Sequence, residues 1–122
     1  MILGGDYVDR AEKIMRELKD SNLKITQLRN LMAMAADIYN DVLGEEEQLS
    51  EDICARIQYL RIRFVYQSGR SGMGEVKKFL QKAMILEAIK EIHGSRKKYK
   101  LFYNYLEALV AYHKFYNEKD KS

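Results

Sequence analysis

Proline and tryptophan are absent from this 122-residue chain, and it has a single cysteine. Without proline, no backbone N–H is missing from a helix interior and no ring clashes with a preceding turn, so long helices can run unbroken. The seven glycines fall mostly between periodic segments, where they mark helix ends. Cys54 has no second cysteine to pair with, which rules out an intramolecular disulfide framework. No apolar run approaches the roughly 18 residues of a membrane span. Met1-Ile2-Leu3 leads directly into Gly4, Gly5 and Asp6, lacking the basic start and long apolar stretch of a signal peptide. A soluble, cytoplasmic protein with no membrane partner is the expectation. Alternating strand patterns and internal repeats are likewise missing, and the length suits one hydrophobic core, residues 1–122 forming a single domain.

What is present is helical periodicity. Tyr7, Ala11, Ile14 and Leu18, with Val8 and Met15, form an amphipathic stripe over about 6–20. Leu28, Leu31, Met32, Ala35, Ile38, Tyr39 and Val42 supply the buried side of a second helix over about 26–43, with Thr26 as its N-cap and Gly44 as its stop. Ser50, followed by Glu51 and Asp52, caps a third helix that Gly69 closes. Val76, Phe79, Leu80, Ala83, Leu86 and Ile89 organise a fourth ending at Gly94, and Ser95 caps a fifth through Tyr116. The fold class is therefore all-α, a compact bundle of about five antiparallel helices. The loop 70–74 is expected to be mobile, and the polar tail after Tyr116 frayed.

The third helix is unusual. At about 100° per residue, Ile53, Ile57, Leu60 and Phe64 make one apolar flank, and Ala55, Tyr59, Ile62 and Tyr66 a second, which predicts a central position for this helix. Arg56, Arg63 and Arg70 recur every seven residues, drifting only about 20° per step and roughly 10 Å apart. Arg70 joins that line only if the helix continues past Gly69. Arg61 falls well away from it, near Gln58, and suits an ion pair or a subunit contact.

Charge is segregated behind a net value of only +3. Residues 1–55 carry a balance of −6, residues 56–100 one of +9, and the remainder is neutral. A basic middle suggests a local polyanion footprint, and ordinary solvated faces are the alternative. A row of arginines meets phosphate oxygens with planar forks and reads no base, so binding of this kind tolerates any sequence. Tyr59 and Tyr66 either stack on splayed bases or pack against a neighbouring helix. The cluster Arg96-Lys97-Lys98-Tyr99-Lys100 stands at a helix start, where it opposes the macrodipole and suggests either an anion nearby or a solvated charge run.

Catalytic and metal-binding patterns are thin. Neither His93 nor His113 has a second ligand at HxxxH or HExxH spacing, so no metal is expected. Cys54 has no paired base and suits a buried structural thiol. Residues 69–77 lack the Gly-Lys-Ser/Thr of a phosphate loop. No cofactor is expected and the chain reads as a non-enzyme.

Ile25-Thr26-Gln27-Leu28-Arg29-Asn30, the stretch Tyr59-Leu60-Arg61-Ile62-Arg63-Phe64-Val65-Tyr66-Gln67-Ser68-Gly69-Arg70, and Glu107-Ala108-Leu109-Val110-Ala111-Tyr112-His113-Lys114-Phe115-Tyr116 closely resemble the small helical subunit of type III-A CRISPR effector complexes, the Csm type. The match runs from about residue 24 to 116. Residues 1–22, the acidic Glu45-Glu46-Glu47 and the glycine loop carry no assignable pattern. The resemblance implies a non-catalytic subunit whose copies stack as a filament along a guide RNA, beside backbone subunits and a large subunit, touching guide and target RNA. By position, it implies RNA contact at Arg29, Arg56, Arg63 and Arg70, and at Lys77 and Lys78. A helical protein-interaction module whose basic face meets an acidic protein is the alternative from the residues themselves, and a regulator binding duplex DNA comes third.

Overall fold

A computed structural model describes residues 1–70 and 72–117. Among them are six α-helices: α1 (Tyr7–Glu17), α2 (Arg29–Val42), α3 (Glu51–Gly69), α4 (Gly74–Lys82), α5 (Ile85–Ile92) and α6 (Arg96–Tyr116). The fold is all-α, as the periodicity requires.

Two serine caps lie where the sequence places them. The Ser50 side chain accepts from the Ile53 N–H and the Ser95 side chain from the Lys98 N–H, each satisfying a donor that a helix start leaves unpaired. Thr26 is not a cap. It lies in a 3-10 turn, Ile25–Leu28, which precedes α2, and α2 itself starts without a side-chain cap. At that turn the Lys24 N–H is met instead by Gln27 Oε1 at 3.1 Å.

The expected fourth helix divides in two. Met84 takes a left-handed conformation, φ 55°, between α4 and α5. Nothing in its composition announces the break, since a non-glycine residue in this region carries a penalty of roughly 1–2 kcal/mol. Tertiary contacts compensate. Ala83 is fully buried, and the Tyr105 hydroxyl donates to its carbonyl at 2.9 Å. Burial pushes the Tyr105 phenol up to about 12, so it stays a donor at neutral pH.

The centre of the molecule is α6 rather than α3. It packs on α1, α2 and α5 and buries Tyr99, Phe102, Tyr105, Leu106 and Leu109, each contributing on the order of 1.5–3 kcal/mol. The Tyr99 hydroxyl donates to Ala35 O at 2.7 Å, and His113, also buried, holds Leu23 O through Nε2 at 2.8 Å. Asn117 is buried and its N–H bonds His113 O, so the last described residue is held; the rest of the tail expected to fray lies outside the described residues. The amino-terminal segment is held too. Ile2 and Leu3 are buried, and their N–H groups both donate to the Glu91 carboxylate, at 2.7 and 2.9 Å. Partial burial opposes ionisation of Glu91, yet these two donors keep its carboxyl below the ordinary value.

Helix α3 touches α2, α4 and α5 through Ile53, Ile57, Leu60 and Phe64. Its second flank has no partner: Tyr59, Ile62 and Tyr66 are 51, 60 and 57 % exposed. The expectation that both flanks are covered therefore fails. This places the helix at the surface, with an aromatic and aliphatic crest facing solvent.

Candidate nucleic-acid interface

Between that crest and the buried flank of α3 runs a polar edge carrying Arg56, Arg63 and Gln67. Opposite it stand the 3-10 turn and the face of α2 that shows Asn30, Met34 and Asp37. Together they enclose a groove of about 590 Å³, whose walls include Arg63, Arg70, Gln67 and Met73. The Arg63 guanidinium carbon lies over the Tyr66 ring, 5.0 Å from the centroid and within cation–π range.

Arg70 reaches the same groove by another route. The helix ends at Gly69, and Arg70 is extended, φ −71° and ψ 151°, so it leaves the seven-residue line. Its Nη1 still donates to Gln67 Oε1 at 3.3 Å, which brings it to the groove beside Arg63. Met73, in the glycine loop, has a packing role that the composition of the loop hides. Met73 Sδ sits within 3.5 Å of Gln27 Nε2 and 3.8 Å of Gln67 Nε2, and Gln67 Nε2 also donates to Gln27 O at 3.0 Å. These contacts tie the loop to both walls. Gln27, Gln67, Asn30 and Met73 are among the groove residues that the sequence pattern did not single out; for the three amides, their offset from a basic line was the available signal.

The remaining predicted contacts are not in the groove. Arg29 is exposed at the first position of α2. Arg56 pairs with Asp41 across the α2–α3 contact, an exposed ion pair of the kind worth about 0.2–1 kcal/mol. Lys77 and Lys78 are exposed on α4, Lys78 lying 3.8 Å from Glu75. Among the described residues no carboxylate forms an ion pair with Arg29, Arg63, Arg70 or Lys77. Arg61 is likewise without one; its Nη1 donates to Gln58 Oε1 at 3.2 Å, an amide contact rather than an ion pair.

The second basic cluster has a different destination. The anion at the start of α6 is the protein's own Glu47. Its carboxylate accepts from the Ser95 hydroxyl and the Lys97 N–H, and Arg96 N–H donates to Glu47 O at 2.8 Å. The Ser95 and Lys97 bonds, with the Arg96 and Lys97 charges, hold the Glu47 carboxyl below its ordinary range despite some desolvation. The Arg96 guanidinium meanwhile donates to Val42 O and Leu43 O, the last carbonyls of α2, at 3.2 and 3.1 Å. The acidic run that carried no sequence pattern is thus the cap of a helix about 50 positions further on, and Glu45 accepts from the Ser50 N–H as well.

Comparison with known proteins identifies the family of the chain. The profile of the family described as Csm2 Type III-A matches residues 4–119, which extends the resemblance over the first helix. A "CRISPR system Cms protein Csm2" of Streptococcus thermophilus is 39 % identical over 94 % of this chain and 94 % of its own length. One of the same description from Mycobacterium tuberculosis is 40 % identical over 98 % of both chains, and one from Enterococcus italicus 32 % identical over 82 % of this chain and 72 % of its own.

Proposed function

The chain belongs to the Csm2 family of type III-A CRISPR systems, and from that premise we propose that it is a non-catalytic, RNA-binding structural subunit of a type III-A effector complex. Its partners are guide RNA and target RNA, the large and backbone subunits, and further copies of itself in a filament. The observation that carries this reading is the groove in which Arg63 and Arg70 converge with no carboxylate paired to either among the described residues. A guanidinium held against a ring loses less freedom on meeting a phosphate, and among the described residues it has no carboxylate to give up.

The mechanism is electrostatic. Arg63 and Arg70, with Arg29, Arg56, Lys77 and Lys78 on adjoining surface, neutralise backbone phosphates and release counterions. Amides of Gln27, Gln67 and Asn30 add hydrogen bonds along the groove, and the exposed Tyr59 and Tyr66 rings offer stacking surfaces. None of this selects a sequence, which suits a subunit whose target is read by base pairing with the guide. Among the described residues no helix is long and apolar enough to cross a membrane and no His, Cys, Asp and Glu gather as a metal site. The proposed setting is the cytoplasm.

Recovery of the tagged chain from its host, with bound RNA sequenced and bound proteins identified, tests this. Short RNAs sharing a constant end and differing in their spacers, with several larger subunits, are the expected result. A single acidic protein and no RNA would overturn it. That outcome matches the second reading, a helical interaction module with a basic docking face, which the solvent-facing Ile62, Val65 and Tyr66 favour.

A further inference from the structure

Arg61 and Arg63 are two positions apart on α3 and therefore about 200° apart around it. Arg63 faces the α2 groove. Arg61 faces a separate cleft of about 300 Å³ on the opposite edge, between α3 and α5, with Lys90 and His93 on its far wall and Gln58 and Cys54 on its near one. No carboxylate lines this cleft, whereas the α2 groove contains Asp37. Among the described residues none forms an ion pair with Arg61, Lys90 or His93. Lys90 and His93 lie at the end of α5, where a cation complements the last carbonyls. That accounts for two of the three; Arg61 comes from another helix and has no such role.

We infer that the α3–α5 cleft is a second phosphate site, holding a backbone phosphate of single-stranded RNA between Arg61, Lys90 and His93. The inference rests on the proposed RNA-binding role and extends it to the other edge of α3. Guanidinium from one wall and ammonium and imidazole from the other supply the donors, and a helix with side chains is about 10–12 Å across, so one strand can span both edges. Between the edges it crosses the crest, where the Tyr59 and Tyr66 rings are available for stacking. Helix α3 then serves as a ridge over which the strand is draped, gripped on both sides. The chain breaks at Met84, and beyond the break α5 packs on both α3 and α4.

Cys54 gives this cleft a built-in reporter, because it is the only cysteine of the chain and is half-buried in the cleft wall. The experiment labels the full chain with iodoacetamide, alone and with a short single-stranded RNA of mixed sequence, and reads the Cys54 peptide by mass spectrometry. RNA should slow labelling several-fold. In Arg61→Ala/Lys90→Ala the protection should vanish while RNA remains bound through the Arg63 groove, and the slope of log affinity against log salt should fall by roughly 0.7 for each phosphate no longer neutralised. Unchanged Cys54 labelling with RNA bound to the unmodified chain overturns the cleft and leaves the proposed function standing. Protection that persists in the double variant also overturns it. A chain that binds no RNA at all overturns the proposed function, and this inference with it. The unmodified-chain arm depends on no variant's folding.

Discussion

Two basic segments of this chain look alike in sequence and end differently in three dimensions. At the start of α6, the backbone N–H groups of Arg96 and Lys97 donate to Glu47 and the Arg96 guanidinium donates to the final carbonyls of α2, so these donors are used inside the protein. On the edge of α3, Arg63 has only the face of Tyr66 and remains open to a groove. Counting cations cannot separate these cases; asking which guanidinium donors already have an acceptor in the fold can. A guanidinium whose acceptors are internal carbonyls holds the fold, and one that meets only a ring keeps its donors for a ligand.

The largest test of the contrast reverses charge on the open edge. Arg56→Glu combined with Arg63→Glu removes two cations that would meet phosphates and adds two repulsions, so RNA association should weaken about ten- to a hundredfold at moderate salt. The fold gives up the exposed Arg56–Asp41 pair and the Arg63–Tyr66 ring contact, both at the surface, so far-UV circular dichroism should stay native. Unchanged RNA association by this well-folded variant would remove the α3 edge from the interface. The converse test is Arg96→Ala. Its bonds to Val42 O and Leu43 O close the end of α2, and their removal should cost about 1–2 kcal/mol, lowering the melting temperature by about 5 °C or more. RNA affinity should not move; a parallel drop in affinity in the folded variant would place Arg96 at the interface instead.

Glu47 sharpens the same comparison through pH. Its folded carboxyl titrates below the ordinary value of 4.5, so its contribution is fully present above that value and disappears as the pH falls through the folded one. The melting temperature of the native chain should fall more steeply below about pH 4.5 than that of Glu47→Gln, with a smaller neutral-pH effect than in Arg96→Ala. Identical acid profiles would mean that the charge on Glu47 contributes nothing to the α6 cap. Glu91, whose carboxyl is also held low, titrates in both chains and cancels in the difference.

Features controlled within a few residues were legible in the sequence, and those controlled by distant chain were not. Ser50 and Ser95 cap helices because a hydroxyl reaches an N–H three positions on, a local event. In the core stripe of α6, Tyr99, Phe102, Leu106 and Leu109 follow from their spacing, whereas the buried Tyr105 and His113 are polar residues whose carbonyl partners lie in distant chain. The break at Met84 does not, since it depends on Tyr105 reaching Ala83 from another helix. Periodicity identified both apolar flanks of α3 but could not say which one meets a neighbour. For the candidate interface, Arg63 was legible as part of a seven-residue line. Arg70 enters through an extended residue, and Gln27 and Met73 join it only because the chain folds back across the groove.

The smallest effect is expected at Lys77 and Lys78, and it decides how far the open surface extends. Both lysines are solvent-exposed on α4, and only Lys78 has an acid nearby, Glu75 at 3.8 Å. An i,i+3 pair this loose contributes at most a few tenths of a kcal/mol. Neither Lys77→Ala nor Lys78→Ala should therefore shift stability by more than about 0.5 kcal/mol. If both touch phosphates, each substitution lowers the salt slope by roughly 0.7 and the affinity a few-fold, and the Lys77 effect is the larger because Lys77 gives up no ion pair on binding. Salt slopes equal to that of the unmodified chain would end the interface at Arg70 and leave the surface of α4 to a protein neighbour.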